Sequence, residues 1–309
     1  MRAVPKSRRR MQNNIAFWTF FGPFFAGLLL FVYVPVFWGF ALSLFEARVT
    51  ITPQQFVGLA NYIYMLTDPE FIHSLVTFTI YALFIVPTTF AVALGLALLI
   101  NSMKRGQAFF RSVVFMPTAC SYVIASLVWR QSLFNSLPFG FVNMILRNFG
   151  VEPIAWLSKL TPPFYWVPLV TVRLWLQAGF FMIIFLAGLQ EIPRELYEAA
   201  LVDGARRGWQ TFRNITLPLL RNTSVSILIL LIIAAYQAFD EFYNLLGSFT
   251  GSGGLLTQVR PPLIYLYNTA FGSQNYGRGS AGAFIVTAII LIFTIIQGRL
   301  FGFGRAVES

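Results

Sequence analysis

Polar and aromatic side chains within two apolar stretches are the residues best suited to chemistry in this sequence. They are Arg173, Trp175, Gln177 and Phe180 in the stretch 164–189, and Tyr236, Gln237, Asp240, Glu241, Tyr243 and Asn244 in the stretch 219–246. Ionisable groups inside apolar spans are costly and usually face a bundle interior or a watery cavity. These residues are therefore candidates for a solute pathway. A structural contact is the open alternative for Asp240, and packing is the alternative for Trp175 and Tyr243.

The sequence contains few residues that could form a catalytic or metal-binding site. The chain contains one histidine, His73, and one cysteine, Cys120, so it offers neither a disulfide framework nor a pair of soft metal ligands. A membrane enzyme such as a glycosyl or acyl transferase needs a nucleophile, a base or a metal cluster. The sequence offers one pair of adjacent acidic residues, Asp240-Glu241, and this pair alone does not provide such a site. We therefore expect no catalytic site and no metal site.

The sequence does not support either of two common nucleotide-binding motifs. A P-loop requires a lysine directly after a glycine, and none of the three lysines meets this condition; they are Lys6, Lys104 and Lys159. The segment Gly277–Gly282 matches the dinucleotide pattern G-x-G-x-x-G, but it follows no strand and precedes an apolar stretch. Close approach between helices is the better explanation for its small residues.

The composition is that of a membrane protein. Apolar residues make up 57% of the 309 residues and charged residues only 11%, whereas a water-soluble domain needs more charge to cover its surface. A hydrocarbon core about 30 Å thick needs roughly 20 apolar helical residues to cross it. The stretches of this kind are 15–44, 72–101, 109–130, 164–189, 219–246 and 281–303. Because lipid offers no partners for stray backbone groups, we expect an all-α membrane protein with about six transmembrane helices.

Proline positions predict that several of these helices bend. The prolines in or near the stretches are Pro23, Pro35, Pro87, Pro117 and Pro168. Each lacks a backbone donor and therefore kinks a helix, whose freed groups neighbouring helices then satisfy.

The distribution of positive charge predicts the orientation. Of the 22 Lys and Arg residues, 15 fall in the amino-terminal tail and in connections on the same side, six fall on the other side, and Arg173 lies within a stretch. Cytoplasmic connections carry the excess of Lys and Arg, so both termini are predicted to be cytoplasmic. The net charge of +11 is spread between apolar runs rather than gathered on a soluble patch, so no nucleic-acid partner is expected.

These assignments predict the organisation of the chain. A basic cytoplasmic tail covers 1–14, a transmembrane domain covers 15–303, and a second cytoplasmic tail covers 304–309. The first apolar stretch is longer than the core of a signal peptide and has no evident small-residue cleavage site. We therefore expect it to be a retained membrane helix.

The cytoplasmic loop 190–218 joins the fourth and fifth stretches and has the most distinctive sequence. Pro193 and Glu198 favour a short helix near its start, and Gly204 permits the turn that ends this helix. An apolar face at helical spacing consists of Ile192, Leu196, Ala199 and Ala200. Such a face fits a groove on another protein. Pro218 suits the start of the next span.

At these residues the sequence resembles the permease family of type I ABC importers. The hallmark of that family is Glu-Ala-Ala, three residues, Gly, nine residues, Ile, one residue and Leu-Pro. This chain has Glu198-Ala199-Ala200, Gly204, Ile215 and Leu217-Pro218, with ten residues rather than nine between Gly204 and Ile215. The extra residue falls around Arg207-Gly208, where the turn geometry stays open.

The resemblance implies a role for the loop and a set of partners. In the family this loop forms a coupling helix that docks into a cleft of the ATPase subunit; the residues implied here are Leu196, Glu198, Ala199, Ala200, Asp203 and Gly204. A solvated helix without a partner is the alternative. The implied partners are a second, similar permease, two ATPase subunits and an extracytoplasmic solute-binding protein in a bacterial or archaeal cytoplasmic membrane. ATP and Mg²⁺ would be bound by the ATPase subunits, so no cofactor is expected in this chain, which would act by alternating access.

Further segments resemble this family and its carbohydrate-uptake branch, of the maltose and glycerol-phosphate type. They are 56–62, 68–71, 95–101, 115–117, 185–190 and 265–271. Each is weak alone, but their shared order and spacing favour a carbohydrate over an amino acid, phosphate or metal. In the family, the spans around the coupling loop line the path, which favours the pathway candidates above. The identity of the sugar, and whether this chain contacts it, stay open.

An ion-coupled secondary transporter of a small polar solute is the competing hypothesis. Such a transporter ordinarily carries an acidic or basic relay near mid-membrane. Arg173 is the only ionisable residue that we expect to lie deep. We find no inverted internal repeat in the sequence. The importer hypothesis is therefore favoured.

Overall fold

The fold is known from a computed structural model that describes residues 6–206, 208–247 and 259–301. The predicted tail 304–309 lies outside the described residues, and so does Arg207. The helices are α1 (Lys6–Leu28), α2 (Val34–Ser43), α3 (Ala60–Thr67), α4 (Pro69–Ser102), α5 (Gln107–Phe115), α6 (Tyr122–Val128), α7 (Phe141–Asn148), α8 (Trp166–Gln190), α9 (Arg194–Val202), α10 (Trp209–Thr211), α11 (Leu217–Leu219), α12 (Arg221–Tyr236), α13 (Asp240–Leu246), α14 (Pro262–Tyr267) and α15 (Tyr276–Phe301).

Short irregular turns and one small hairpin join these helices. Turns of π-helix cover Leu29–Tyr33, Trp129–Leu133, Phe212–Thr216 and Asn268–Gly272, and a 3₁₀ turn covers Met116–Ala119. The strands β1 (Phe45–Glu46) and β2 (Gln55–Phe56) pair antiparallel, with Phe45 opposite Phe56. The chain is therefore mostly helical, as predicted.

Within the described residues, four helices are long and apolar enough to cross a membrane. They are Phe17–Ser43, Pro69–Ser102, Trp166–Gln190 and Tyr276–Arg299. Two bent pairs meet the same test: Gln107–Ala119 with Tyr122–Leu133, bent by 93°, and Trp209–Leu219 with Arg221–Tyr236, bent by 71°. The described part of the chain thus has four candidate spans, or up to six if each bent pair is one span. The first candidate span is continuous with α1, which begins inside the predicted tail 1–14.

The predicted third and fifth spans differ from the helices observed. The stretch 109–130 is interrupted after the 3₁₀ turn that contains Pro117, in agreement with the predicted bend. The fifth span was predicted to continue over 219–246, and this prediction is wrong, because α12 ends at Tyr236 and α13 begins at Asp240. No proline or glycine marks this break. Asp240 and Glu241 instead occupy the first turn of α13, where acidic side chains are favoured.

The chain consists of two compact units. The first consists of Met1–Asp68 with Leu266–Ile285, and the second of Pro69–Tyr265 with Val286–Ser309. Helix α15 contributes to both.

In the first unit, glycines of α15 allow close packing. A Cβ atom on Gly277 would lie 2.5 Å from the carbonyl oxygen of Phe45, and one on Gly279 would lie 2.7 Å from the Cβ of Ala270. Asn61 reinforces the same region, since its Nδ2 donates to the carbonyl oxygens of Ser43 at 3.0 Å and Phe45 at 2.9 Å. The G-x-G-x-x-G segment thus serves helix packing, as the sequence analysis favoured.

In the second unit, α4 and α8 pack along their lengths and form the centre of the core. Phe78, Leu169, Met182 and Phe185 are completely or almost completely buried between the helices. Exposed apolar side chains, such as Leu83 and Phe84 on α4, cover the outside. An apolar exterior of this kind suits contact with lipid or with apolar protein partners.

Gly179 provides a test of the packing between α8 and α5. A Cβ atom there would overlap the carbonyl oxygen of Val114 and lie 2.9 Å from the Cα of Phe115, whereas one on Gly95 in α4 would meet no atom within 4 Å. We expect Gly179→Ala to destabilise the protein by about 1–3 kcal/mol through overpacking. Gly95→Ala should be neutral or stabilising, because alanine is the better helix former. Thermal unfolding in detergent measures both, and equal melting temperatures would contradict the packing described.

Candidate functional sites

A buried ion pair joins α8 and α13 inside the second unit. The side chains of Arg173 and Glu241 are only 5% and 2% exposed, and Arg173 Nη1 donates to Glu241 Oε1. Arg173 Nη2 donates to the carbonyl oxygen of Ala234, and Nε donates to Gln177 Oε1 at 3.3 Å. Every nitrogen of the guanidinium therefore has an acceptor. This matters because a buried charge without partners is strongly unfavourable.

Arg173 connects the two sides of the break in the fifth span. Ala234 lies in the last turn of α12, and Glu241 lies in the first turn of α13. The Ala234 carbonyl oxygen, which also accepts from the Gln237 N–H at 3.3 Å, binds the guanidinium that pairs with the carboxylate beyond the break. One side chain of α8 thus contacts both the end of α12 and the start of α13.

Aromatic side chains enclose the ion pair. The Tyr81 hydroxyl on α4 donates to Glu241 Oε1 at 3.5 Å, and the Tyr122 ring on α6 has its centre 5.9 Å from Arg173 Cζ. The Tyr81 ring also packs edge-on against Phe242, with centroids 4.9 Å apart. Residues of α4, α6, α8 and α13 therefore build one hydrogen-bonded and aromatic cluster.

The sequence pointed to Arg173, Gln177 and Glu241 as candidates but not to the tyrosines of this cluster. The expectation that Arg173 is the only deep ionisable residue is wrong, because Glu241 is 1% exposed. A charged residue is tolerated there because Arg173 neutralises it. Tyr81 was also missed, although a hydroxyl inside the stretch 72–101 was a signal that could have pointed to it.

Two further candidates have mainly packing contacts. Tyr236 is 4% exposed and lies between the rings of Phe78 and Phe293, at centroid distances of 4.9 and 5.9 Å. Trp175 is 41% exposed and lies 5.1 Å from the ring of Trp129. A separation of two residues places Trp175 nearly opposite Arg173 and Gln177 around α8. The structure therefore does not bring Trp175 to the ion pair.

The remaining candidates lie near the break. Gln237 and Asp240 are exposed. Asn244 donates from Nδ2 to the Asp240 carbonyl oxygen at 2.7 Å, and its own carbonyl oxygen accepts from Arg130 Nη1 at 3.2 Å. Tyr243 is half-buried and stacks on Phe239 at 5.5 Å. The polar groups of the break thus present one exposed amide and one exposed carboxylate.

Phe180 is the last of the pathway candidates. It is 43% exposed on α8, and its ring lies edge-on to that of Phe181 at 5.2 Å. Phe181 is only 3% exposed. Phe180 therefore offers an accessible aromatic surface beside a packed one.

The loop after α8 contains the predicted short helix and its turn. Helix α9 starts directly after Pro193 and ends before Asp203. Gly204 has φ +85°, its N–H donates to the Leu201 carbonyl oxygen at 3.2 Å, and the Ala205 N–H donates to that of Ala200 at 2.8 Å. These two bonds form a Schellman motif, which requires a left-handed residue and therefore favours glycine.

One side of α9 is anchored and the other is exposed. The hydroxyls of Tyr197 and Thr216 lie 2.9 Å apart in a hydrogen bond. Leu196 is 43% exposed, and Glu198, Ala199, Asp203 and Gly204 are exposed too, whereas Ala200 is half-buried. The prediction that Ile192 shares the exposed face is wrong. Ile192 precedes the helix and is buried in the core, with 8% exposure.

The exposed surface of this loop continues beyond α9. Val202 is 87% exposed and Trp209 is 73% exposed. Gly208 has φ +104°, and its N–H donates to Thr211 Oγ1 at 3.2 Å. The extra residue relative to the family hallmark therefore falls next to a turn whose backbone suits glycine. Within the described residues, no group of three or more His, Cys, Asp or Glu side chains is placed to hold a metal ion.

Comparison with known proteins identifies the family. The family described as "Binding-protein-dependent transport system inner membrane component" matches residues 91–301. The trehalose/maltose transport system permease protein MalF of Thermococcus litoralis is 35% identical over 285 residues, which cover 92% of each chain. The lactose transport system permease protein LacF of Rhizobium radiobacter is 31% identical over 303 residues, covering 96% of this chain and 97% of that one.

A solved structure shows the same fold. A bacterial ABC transporter involved in the import of the acidic polysaccharide alginate contains a chain that matches with a TM-score of 0.81 and 22% identity, covering 98% of this chain and 100% of that chain. The resemblance found in the sequence to the permeases of ABC importers is thereby confirmed. The chain belongs to the family of binding-protein-dependent transport system inner membrane components.

Proposed function

We propose that this chain forms, together with a second permease, the pathway by which an ABC importer carries a sugar or sugar-like solute into the cell. The observation that carries the proposal is the exposed side of α9, which presents the Glu198-Ala199-Ala200 segment in a chain of this family. The fold match to an importer of a polysaccharide supports it.

Helix α9 would act as the coupling helix. Leu196 and Ala199 offer a small apolar surface for a cleft of the ATPase, and Glu198 and Asp203 offer charges at its edge. The hydrogen bond from Tyr197 to Thr216 links α9 to the turn that leads into the fifth span. A movement of the ATPase would therefore be transmitted to α12.

The solute would pass near the break between α12 and α13. Gln237 and Asp240 are exposed there, and amide and carboxylate groups make the hydrogen bonds that sugar hydroxyls need. We infer a role for Arg173 that differs from the expected one, because it is buried and each of its nitrogens already donates to Gln177, Glu241 or Ala234. It would position α13 rather than bind the solute.

The names of relatives support a carbohydrate. They include permeases named for trehalose and maltose, for lactose and for arabinooligosaccharides, each matching at least 92% of this chain. A solved alginate transporter with the same fold is in complex with a periplasmic protein bound to an alginate pentasaccharide. A binding protein outside the membrane would likewise deliver the solute here.

The chain itself would be non-catalytic. ATP and Mg²⁺ would bind to two separate ATPase subunits, and no lysine of this chain follows a glycine as a P-loop requires. The excess of Lys and Arg on one side supports cytoplasmic termini in a bacterial or archaeal cytoplasmic membrane. The chain would cross this membrane several times.

Copurification tests this function directly. Tagged chain extracted in mild detergent should retain an ATPase and a second permease, identified by mass spectrometry, and solute-loaded binding protein should stimulate ATP hydrolysis. Recovery of this chain alone in several detergents would favour the self-sufficient secondary transporter instead.

Variants of the α9 segment test the coupling role. We expect Glu198→Lys and Gly204→Asp to reduce uptake to background while the chain stays in the membrane. The first reverses a charge on the exposed side of α9, and the second puts a side chain on a backbone with φ +85°, which costs about 1–2 kcal/mol. The measurement is uptake by cells, with the membrane content of the chain measured alongside.

Matched controls exist in another exposed loop. Glu152→Lys makes the same charge change, and Gly150→Asp makes the same substitution at an exposed glycine with φ +75°. Both controls should retain uptake. Normal uptake by both α9 variants would overturn the coupling assignment.

Variants of the ion pair test the positioning role of Arg173. Arg173→Met leaves the Glu241 carboxylate buried without its cationic partner, so we expect a loss of about 3–5 kcal/mol of stability. The double variant Arg173→Met/Glu241→Gln should recover part of this loss, since it buries no unpaired charge. Thermal unfolding in detergent measures the difference. A single variant of native stability that lost only solute affinity would show instead that Arg173 binds the solute.

A further inference from the structure

A positively charged recess lies between the α4–α5 loop and the start of α9. We call it the basic recess; its volume is about 570 Å³, and its lining includes Ser102, Lys104, Arg105, Gly106, Gln107 and Arg194. The lining is mainly polar. Apart from Arg194, which begins α9, no residue of this lining belongs to the proposed coupling helix or solute pathway.

Folding brings its three cations together from distant parts of the sequence. Lys104 and Arg105 follow the end of α4, whereas Arg194 is the first residue of α9. All three are exposed, and no ion pair within 4.0 Å joins any of them to a described acidic residue. Glu191 and Glu195, which flank Arg194 along the chain, do not line the recess. The recess therefore has a net positive charge that an anionic ligand would neutralise.

Hydrogen bonds stabilise the backbone of the α4–α5 loop, which carries Lys104 and Arg105. Gln107 Nε2 donates to the carbonyl oxygens of Met103 at 2.8 Å and Asn101 at 3.3 Å. Gly106 has φ +78° and starts α5. The loop thus presents its charges from a fixed turn, which lowers the entropy cost of binding.

Apolar side chains flank the recess on the same helices. Leu99, near the end of α4, is 65% exposed, and Phe109 and Phe110, at the start of α5, are 66% and 44% exposed. The Phe110 ring reaches within 3.7 Å of the position that a Cβ of Gly106 would occupy. Both helices belong to candidate membrane spans. The charges therefore lie where the exposed apolar surface of these helices ends.

We propose that the basic recess binds the phosphate headgroup of an anionic phospholipid in the cytoplasmic leaflet. The headgroup would pair with Lys104, Arg105 and Arg194, while the acyl chains would lie against Leu99 and Phe109. Cations next to a span attract anionic lipid in this way. An acidic protein surface would satisfy the charges but would leave the exposed apolar flank without a ligand, so the lipid is favoured.

Lipid bound in the basic recess would also affect coupling. Because Arg194 begins α9, a bound headgroup would tie the first turn of that helix to the membrane surface. Anionic lipid would then favour one position of the segment that we propose to contact the ATPase. Lipid binding itself needs no transport, so its test is independent of the proposed function.

Native mass spectrometry of the complete transporter from nanodiscs tests the proposal. The nanodiscs contain phosphatidylcholine mixed with phosphatidylglycerol, and the retained lipids are counted. Wild type should retain phosphatidylglycerol in preference to phosphatidylcholine. The preference should fall roughly tenfold in the triple variant Lys104→Gln/Arg105→Gln/Arg194→Gln. This reduction should be larger at low salt, where the attraction between the cations and the headgroup is screened less.

Two matched variants separate the recess from general charge. Arg213→Gln/Arg221→Gln/Arg299→Gln removes three exposed cations predicted on the same side, and it should retain the preference. Lys104→Arg/Arg105→Lys/Arg194→Lys keeps the charges and should retain it as well. Equal retention of phosphatidylglycerol by wild type and the triple Gln variant would overturn the proposal.

Two further outcomes would also overturn it. Equal retention of the two lipids by wild type, together with binding of inorganic phosphate that the triple Gln variant loses, would identify free phosphate as the ligand. Loss of the ATPase subunits from the triple Gln variant in pure phosphatidylcholine would identify the recess as a protein contact. Retention of the ATPase together with loss of phosphatidylglycerol supports the lipid site.

Discussion

The pairing of Arg173 with Glu241 is the interaction on which the centre of this structure depends. Two charges that would each be very costly in an apolar interior are stable there because they neutralise each other. The same guanidinium binds the last turn of α12, so α8, α12 and α13 are fixed relative to one another. Tyr81 extends this arrangement to α4. A break in a membrane helix is tolerated when its backbone groups find partners inside the protein.

The break and the proposed coupling helix α9 are connected to opposite ends of α12. Thr216, just before this helix, is bonded to α9, and Ala234, in its last turn, is bonded to Arg173. A single helix therefore connects the surface that we propose for the ATPase with the polar groups that we propose for the solute. In the proposed importer, this arrangement would convert movement at one surface into a change of access at another.

The sequence was sufficient for features that depend on local patterns. Apolar runs predicted the membrane helices, Pro117 coincided with a bend, and Gly204 marked the end of α9 because few other residues adopt its φ of +85°. Features that depend on contacts between distant segments were not predictable. The break after Tyr236 carries no proline or glycine, and Glu241 becomes a tolerable buried residue only when Arg173, 68 positions away, packs against it. The basic recess likewise exists only because α9 returns to the end of α4.

Uptake into proteoliposomes tests the account most directly. The vesicles would contain this chain, the second permease and the ATPase subunits, and labelled disaccharides and oligosaccharides would be supplied with the binding protein. We predict uptake that requires ATP on the side of the ATPase subunits and the binding protein on the opposite side of the membrane. An ion gradient alone should drive no uptake. Uptake by this chain without the ATPase, driven by a proton or sodium gradient, would contradict it.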